Sequence, residues 1–385
     1  MEKGKKLISK REFLKCGLIG TGSVIFGFDN PLEGYSKDRF PDSNITDLWK
    51  WSKEGLYYSE TPRGVKCLIC PNECTLKENE ESTCHNRINI KNKLYTIAYG
   101  NPCAVHIDPV EKKPLYHFLP SSKAFSIATA GCNLACLNCQ NWTISQVSPR
   151  ETQNYDLMPI RVVEESIKSN CESIAYTYSE PLTFYEYTLD TSKIAREKGI
   201  KNIIVSAGYI NEEPLRNLCK YIDAANIDLK SFKDSIYLKL NAGKLQPVLN
   251  TLKVIREEGV WLEITNLIVP GWTDNMGMIK EMCTWLFENG FEYTPLFFSR
   301  FQPQYKLTQL PATPLATLNK AREIAMNAGL KYVYNGNVPG SDAENTYCHK
   351  CKKPLIIRRG FTILENNLIN GSCKFCKTKI PGVWG

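Results

Sequence analysis

Eleven of the sixteen cysteines in this 385-residue chain fall into three spaced groups, and thiol chemistry is where a reading of it begins. An apolar run from Ala124 stops at Gly131, and Cys132, Cys136 and Cys139 follow as C-x3-C-x2-C. Thiolates are the usual ligands of iron–sulfur clusters, and a tight loop at a strand end can point three sulfurs at one centre. Three ligands on a four-iron cluster leave one iron open to a group that is not protein. Zinc is the competing reading, but it takes four protein ligands, usually in paired C-x2-C knuckles, which this triplet lacks.

The other two groups each hold four cysteines. Cys67, Cys70, Cys74 and Cys84 form C-x2-C-x3-C-x9-C around Pro71 and charged residues, with too little apolar content to be core. They match a four-thiolate site for zinc or for an iron–sulfur cluster: zinc would act as a staple, a cluster could relay electrons, and the spacing does not decide. His85 reads as a surface residue, and His106 and His117 as packed or hydrogen-bonded ones. Cys348, Cys351, Cys373 and Cys376 make two C-x2-C knuckles flanking strand-like stretches at 355–359 and 361–364, the pattern of a zinc ribbon that needs its metal to fold. Cys171, Cys219 and Cys283 sit in helix-like stretches as small hydrophobes, and Cys103 is surplus to the N-terminal four. Grouped cysteines favour metal ligation in a reducing compartment over a disulfide framework.

The elements that must position these sulfurs follow from periodicity. Strand-like stretches at 173–178, 202–207, 224–229, 261–269 and 295–301 alternate with helical spacing at 161–169, 184–198, 212–221, 248–258, 276–289 and 314–328. A last short strand is expected at 331–334. Repeated βα units imply a parallel sheet with helices outside, and function at the C-terminal strand ends. Polar motifs fall there. Ser179-Glu180-Pro181 follows the strand after the cysteine loop, and a carboxylate at that place suits an ammonium group, although an N-cap turn reads equally well. Asp228 and Lys230 follow as D-x-K, a ligand pair or a surface salt bridge. Arg300, at a later strand end, suits a carboxylate ligand or an ordinary ion pair. The organisation expected is a leader and linker over 1–60, a cysteine module over 61–120, an α/β body over 121–340 and a ribbon over 341–385.

Charge narrows the partners. The net +8 is concentrated at the termini: residues 1–15 carry +4 and residues 346–385 carry +7, leaving −3 on the rest. A basic nucleic-acid groove across the body is not supported. No apolar run reaches the length needed to span a bilayer. Ser9-Lys10-Arg11-Glu12-Phe13-Leu14-Lys15 before a glycine-rich apolar run resembles the twin-arginine export motif, with Lys10 where the first arginine normally stands. The lysine, the lack of an A-x-A cleavage site and the need for a low-potential reductant favour the cytoplasm over export.

The C-x3-C-x2-C loop resembles the signature of radical S-adenosylmethionine (SAM) enzymes. That resemblance implies a partial (β/α)6 barrel of radical-SAM type, here with an N-terminal four-Cys module and a C-terminal zinc ribbon. It also implies a [4Fe-4S] cluster on Cys132, Cys136 and Cys139, and SAM chelated at the open iron. Reduction would then yield methionine and a 5′-deoxyadenosyl radical that abstracts hydrogen from a substrate. Ser179 and Glu180 match the position whose polar groups hold the SAM amino group in relatives. Asp228 and Lys230 match the D-x-K element of pyruvate formate-lyase activating enzyme, and Val269-Pro-Gly-Trp-Thr-Asp274 matches its V-P-G-x-T-D turn. Ser206-Ala207-Gly208 departs from the Thr-Asn-Gly found there. Finer matches, among them the stretch from Val105 to Pro120, Phe298-Ser-Arg-Phe301 and Tyr334-Asn-Gly-Asn-Val-Pro-Gly340, look like the radical-SAM component of the AmmeMemoRadiSam system, over about residues 61–385. Gln302 stands where that group is expected to carry histidine. The implied partners are a reductant such as a flavodoxin or ferredoxin and a protein or small-molecule substrate. The alternative is a non-catalytic Fe-S/zinc protein for electron transfer or nucleic-acid binding. The ordered strand-end motifs and the neutral-to-acidic body favour the enzyme.

Overall fold

The computed structural model describes residues 50–385 and the backbone of a short strand at Lys37–Arg39. The leader, with its export-like motif and Cys16, lies outside the described residues.

The body is one eight-stranded sheet whose strand order is the chain order. Strand β1 (Ala104–Pro109) runs antiparallel to β2 (Lys123–Ala128). From β2 the sheet is parallel through β3 (Ser173–Tyr176), β4 (Lys201–Ser206), β5 (Ala224–Asp228), β6 (Trp261–Ile268), β7 (Leu296–Arg300) and β8 (Val333–Gly336). Six helices fill the crossovers: α1 (Pro159–Lys168), α2 (Tyr185–Glu197), α3 (Glu212–Cys219), α4 (Leu245–Glu257), α5 (Met276–Glu288) and α6 (Leu315–Asn327). Parallel neighbours need such crossovers, and burial on both faces explains why these strands read as apolar runs rather than as clean alternation. The expected six βα units are present, the expected last short strand forms as β8, and the sheet adds β1 at the other edge.

Alternation of side chains sorts the two faces. Phe125, Ile127, Ile174, Ile204, Ile227 and Ile264 point outward into the core shared with the helices. Ala124, Ala175, Ile203 and Ala224 belong to a separate cluster on the inner face. Two residues further along the same face come Ser126 and Asn226, and Glu263 and Thr265 follow Trp261, so the interior turns polar toward the strand C-termini.

The N-terminal module consists of two three-stranded antiparallel sheets, the first built from Tyr58–Thr61, Gly64–Cys67 and Thr75–Leu76, the second from Lys53–Glu54, Arg87–Ile90 and Lys93–Thr96. A fully buried ion pair ties it to the body: the Arg87 guanidinium donates to both oxygens of Glu186 on α2, at 3.0 and 2.9 Å.

The ribbon forms where its strands were expected, as Pro354–Arg359 and Thr362–Asn366 with Thr346–Tyr347 alongside. It packs against the N-terminal halves of β6, β7 and β8. Tyr116, Phe297 and Tyr334 meet ring to ring at 4.8–5.1 Å, and Arg358 caps the Tyr116 ring while donating to the Tyr116 carbonyl at 2.8 Å. His117, expected to be packed or hydrogen-bonded, is both: its ring nitrogens meet the Pro381 carbonyl and the Tyr334 hydroxyl. The ribbon therefore lies at the end of the sheet away from the C-x3-C-x2-C loop.

Candidate active site

The loop Ala130–Gln140 leaves the C-terminal end of β2 through Gly131, whose φ of 95° suits glycine alone among the residues here. Its backbone is held from a second side by the segment after β5. Ala135 N donates to the Asn241 carbonyl and Leu137 N to the Leu240 carbonyl, at 3.0 and 2.9 Å. Ala242, at φ 57°, turns the chain to make that approach.

Each of the three sulfurs has a polar neighbour. Leu134 N donates to Cys132 Sγ at 3.4 Å, Asn241 Nδ2 donates to Cys136 Sγ at 3.2 Å, and Ser145 Oγ lies 3.0 Å from Cys139 Sγ. Asn241 and Ser145 escaped the sequence reading because a lone asparagine or serine carries no spacing signal, and the loop–loop pairing that brings Asn241 in is visible only in three dimensions. Burial pushes the Cys132 thiol well above its usual value and raises Cys136, where the nearby Lys230 ammonium and the Asn241 amide work the other way. The sulfurs of this triplet do not close to within 4.8 Å of one another, the reach of ligands around a single ion.

The strand-end residues converge on the same loop. Glu180 is buried after β3, and its carboxylate accepts from Ser206 Oγ at 2.7 Å, Ala207 N at 2.8 Å and Leu182 N at 3.2 Å. Burial raises its pKa against those three bonds and against Lys230. The contact at Ala207 thus comes from the backbone, where a side-chain contact could not be carried over. Ser179 spends its hydroxyl proton on the Thr129 carbonyl at 2.7 Å, binding the end of β3 to that of β2. Asp228, the last residue of β5, and Lys230, just beyond it, pair at 2.9 Å. Burial opposes the Lys230 charge, but Asp228 and the Cys136 sulfur outweigh it and raise its pKa. Arg300 is not drawn into this group; its Nε donates to the Thr313 carbonyl at 2.9 Å. Gln302 is exposed. Buried amide oxygens of Asn138 and Asn241 beside the sulfurs have no partner, as expected where a bound group supplies one.

The cysteine groups differ in spacing. Cys348, Cys351, Cys373 and Cys376 form the one group among the described residues whose ligand atoms all lie within 4.8 Å of one another. Cys348 and Cys376 sulfurs are 3.6 Å apart, and those of Cys351 and Cys373 are 3.7 Å apart. Cys67, Cys70, Cys74 and Cys84, expected as a four-thiolate site for zinc or an iron–sulfur cluster, face one recess but do not close as the C-terminal four do, which corrects the zinc-like half of that expectation. Cys67, Cys70 and Cys74 share one loop, closed by the Cys67 N–H donating to the Cys74 carbonyl at 2.9 Å, and Cys84 comes from the turn before the Arg87–Ile90 strand. Cys171, Cys219 and Cys283 are buried, as expected of small hydrophobes, and Cys103 Sγ faces the Ala128 carbonyl.

The family model for the Radical SAM superfamily matches residues 126–286, which hold the three-cysteine loop and the sheet from β2 to β6. The chain belongs to the family of the Methanocaldococcus jannaschii protein MJ0808, described as uncharacterized. The two are 46% identical over 331 residues, 85% of this chain and 98% of that one. More distantly, it is 24% identical over 155 residues to the pyruvate formate-lyase-activating enzyme of Clostridium pasteurianum, 40% of this chain and 64% of that enzyme. It thus spans a little under two thirds of the length of that relative. Among solved structures, a radical SAM methyltransferase from Sphaerobacter thermophilus aligns at a TM-score of 0.45 and 12% identity, over 57% of this chain and 67% of that one. No helix among the described residues is long and apolar enough to cross a membrane.

Proposed function

We propose that this chain is a radical-SAM enzyme of the activase-like kind, abstracting a hydrogen atom from a protein or small-molecule substrate within the AmmeMemoRadiSam group. The observation that carries the reading is the convergence of Glu180, Asp228 and Lys230 on a loop whose three sulfurs each have a polar neighbour. Cys132, Cys136 and Cys139 would hold a [4Fe-4S] cluster by three irons, and the donor set suits it: all thiolate, wider than a mononuclear site, and partly buried. Bound there, the reduced cluster with SAM supplies a 5′-deoxyadenosyl radical.

The chain's own residues bind, orient and exclude water. Glu180 retains lone-pair capacity beyond its three bonds and offers a buried negative charge for the SAM ammonium. Ser179 fixes the turn that carries it. Lys230, neutralised on one side by Asp228, sets a cation beside Cys136, where it favours the more negative, reduced state of whatever that sulfur binds. Trp142, three residues beyond Cys139 and itself exposed, stacks on Tyr305 with ring centroids 5.2 Å apart.

The ribbon is proposed to hold zinc. Tetrahedral zinc with Zn–S bonds of ~2.3 Å sets sulfur–sulfur edges of about 3.8 Å, close to the 3.6 and 3.7 Å found there. Its place at the far end of the sheet gives it a structural role.

Anaerobic reconstitution with iron and sulfide, then reduction in the presence of SAM, should yield 5′-deoxyadenosine, and the Cys136→Ala variant should yield none. Absence of product from wild-type protein carrying an intact reduced cluster would refute the enzyme reading.

A further inference from the structure

We propose that the recess formed by Cys67, Cys70, Cys74 and Cys84 is a second iron–sulfur site rather than a zinc staple, placed to pass electrons to the C-x3-C-x2-C loop. Three independent observations carry this.

The first is spacing, for which the molecule supplies its own standard. Four cysteines suited to one zinc ion close to 3.6 and 3.7 Å across the C-terminal ribbon. No three of the N-terminal sulfurs come within 4.8 Å of one another, and neither do Cys132, Cys136 and Cys139. A cluster spreads its thiolates because each sulfur binds a different iron. The N-terminal four therefore group with the radical-SAM loop and not with the ribbon, and all four line one recess.

The second is the polar surround of the sulfurs. Ser82 Oγ lies 3.1 Å from Cys84 Sγ and Thr83 Oγ1 lies 3.3 Å from Cys74 Sγ, as Ser145 does from Cys139. Hydroxyls so placed donate to thiolate sulfur and tune a cluster's potential. Arg87, fully buried, adds a guanidinium to the recess wall. Its charge is paired with the Glu186 carboxylate, so it brings a buried ion pair to the wall of the recess.

The third is the shared wall. Asn133, the residue after Cys132, lines the recess. Asn72, between Cys70 and Cys74, donates to the Asn133 carbonyl at 2.8 Å. A Cβ built on Gly131 would stand 2.4 Å from the Cys84 carbonyl, so the two cysteine loops touch with no side chain between them. In the step proposed, the N-terminal cluster takes one electron from a flavodoxin- or ferredoxin-class protein. It returns to its oxidised state as the cluster on Cys132, Cys136 and Cys139 is reduced by that electron; no bond changes and no proton moves. This transfer rests on the radical-SAM reading above, whereas the metal content of the recess does not.

The test is metal analysis and electron paramagnetic resonance on full-length variants. After anaerobic reconstitution, the Cys132→Ala/Cys136→Ala/Cys139→Ala variant should retain about four irons and four sulfides and give a reduced-cluster signal. Adding Cys67→Ala and Cys84→Ala should abolish both, while about one zinc stays in the ribbon and reports an intact fold. A triple variant that binds no iron, or that carries a second zinc, overturns the site. Conversely, the Cys67→Ala/Cys84→Ala variant should keep its central cluster, accept electrons from dithionite and lose rapid reduction by flavodoxin. Undiminished reduction by flavodoxin overturns the relay. If the central reading fails instead, this last variant holds no iron at all, so the two failures are distinguishable.

Discussion

Replacing Asn241 by leucine tests whether the sulfur environment seen here sets the electronics of the central cluster. Asn241 donates from Nδ2 to Cys136 Sγ at 3.2 Å, and its own amide oxygen is buried without a partner. Leucine has nearly the same shape and removes both the donor and the orphaned acceptor. The loop should keep its course, because Ala135 N and Leu137 N bond to backbone carbonyls that the substitution leaves in place. A hydrogen bond to sulfur strengthens when the cluster gains an electron, so it holds the midpoint potential up. If that difference is about 1 kcal/mol, as for a modest protein hydrogen bond, its loss lowers a one-electron potential by roughly 40 mV, on the scale of 59 mV per tenfold change. The assay is a redox titration followed by electron paramagnetic resonance without SAM. It is best run in the Cys67→Ala/Cys84→Ala background so that a single cluster titrates. A shift below ~10 mV, or a shift to higher potential, would refute the reasoning and leave Asn241 as packing.

Three further outcomes are expected. Glu180→Gln should retain its iron yet bind SAM about tenfold more weakly, since a charge-assisted bond becomes a neutral one; equilibrium binding with unchanged affinity would reduce Glu180 to a structural role at Ser206 and Ala207. Cys351→Ser should lose about one equivalent of zinc and open the segment after 345 to limited proteolysis without loss of cluster iron, because the ribbon sits at the far end of the sheet. The third concerns His117 and Glu263, which touch through the His117 N–H and Glu263 Oε1 at 2.8 Å. Burial lowers His117 to about 3, with the Pro381 carbonyl opposing, and raises Glu263 to about 7 against bonds from Trp261, Tyr116 and His117. For the depressed histidine, stability is present above its unfolded value near 6.5 and is lost as pH falls toward 3. For the raised carboxyl, stability is present below its unfolded value near 4.5 and is lost as pH rises through 7. Each is worth about 2 kcal/mol between pH 5 and 7.5, with opposite sign. Denaturant titrations should therefore show His117→Gln gaining stability toward pH 5 and Glu263→Gln losing it; parallel slopes in the two variants would count against both assignments.

The parallel sheet was legible because each crossover helix carries a 3.6-residue stripe and each strand a short apolar run between turn signals. Boundaries moved by only a few residues, as at α4, which begins at Leu245 rather than 248 because Lys244, in extended conformation, ends the preceding turn. The strand-end motifs were legible for the same reason: Glu180, Asp228 and Lys230 lie where the C-terminal ends of parallel strands meet. The second layer was not. Asn241 reaches Cys136 only because the turn after β5 folds back on the cysteine loop, and nothing local in a sequence records a contact over 105 positions. His117, Glu263 and Tyr334 are likewise scattered along the chain, joined where the connection from β1 to β2 meets β6 and β8 rather than by any period.

The cysteines show what spacing along the chain can and cannot say. A C-x2-C pair puts two residues on one turn, and Cys67 and Cys70 share one with Cys74 close behind, yet no three of the N-terminal sulfurs come within 4.8 Å of one another. In the ribbon, two C-x2-C knuckles are brought face to face by a hairpin, so pairs from opposite ends, Cys348 with Cys376 and Cys351 with Cys373, close on each other. Sequence spacing fixes the geometry within a knuckle, but the nuclearity of the site depends on the distance between knuckles, which the intervening fold sets. That distinction makes metal analysis of the N-terminal recess informative. With zinc in it, side-chain separation would be no guide to metal type in this chain; with iron and sulfide in it, two wide sulfur sets would share the wall made by Gly131 and Asn133, and the route of reduction would follow from their contact.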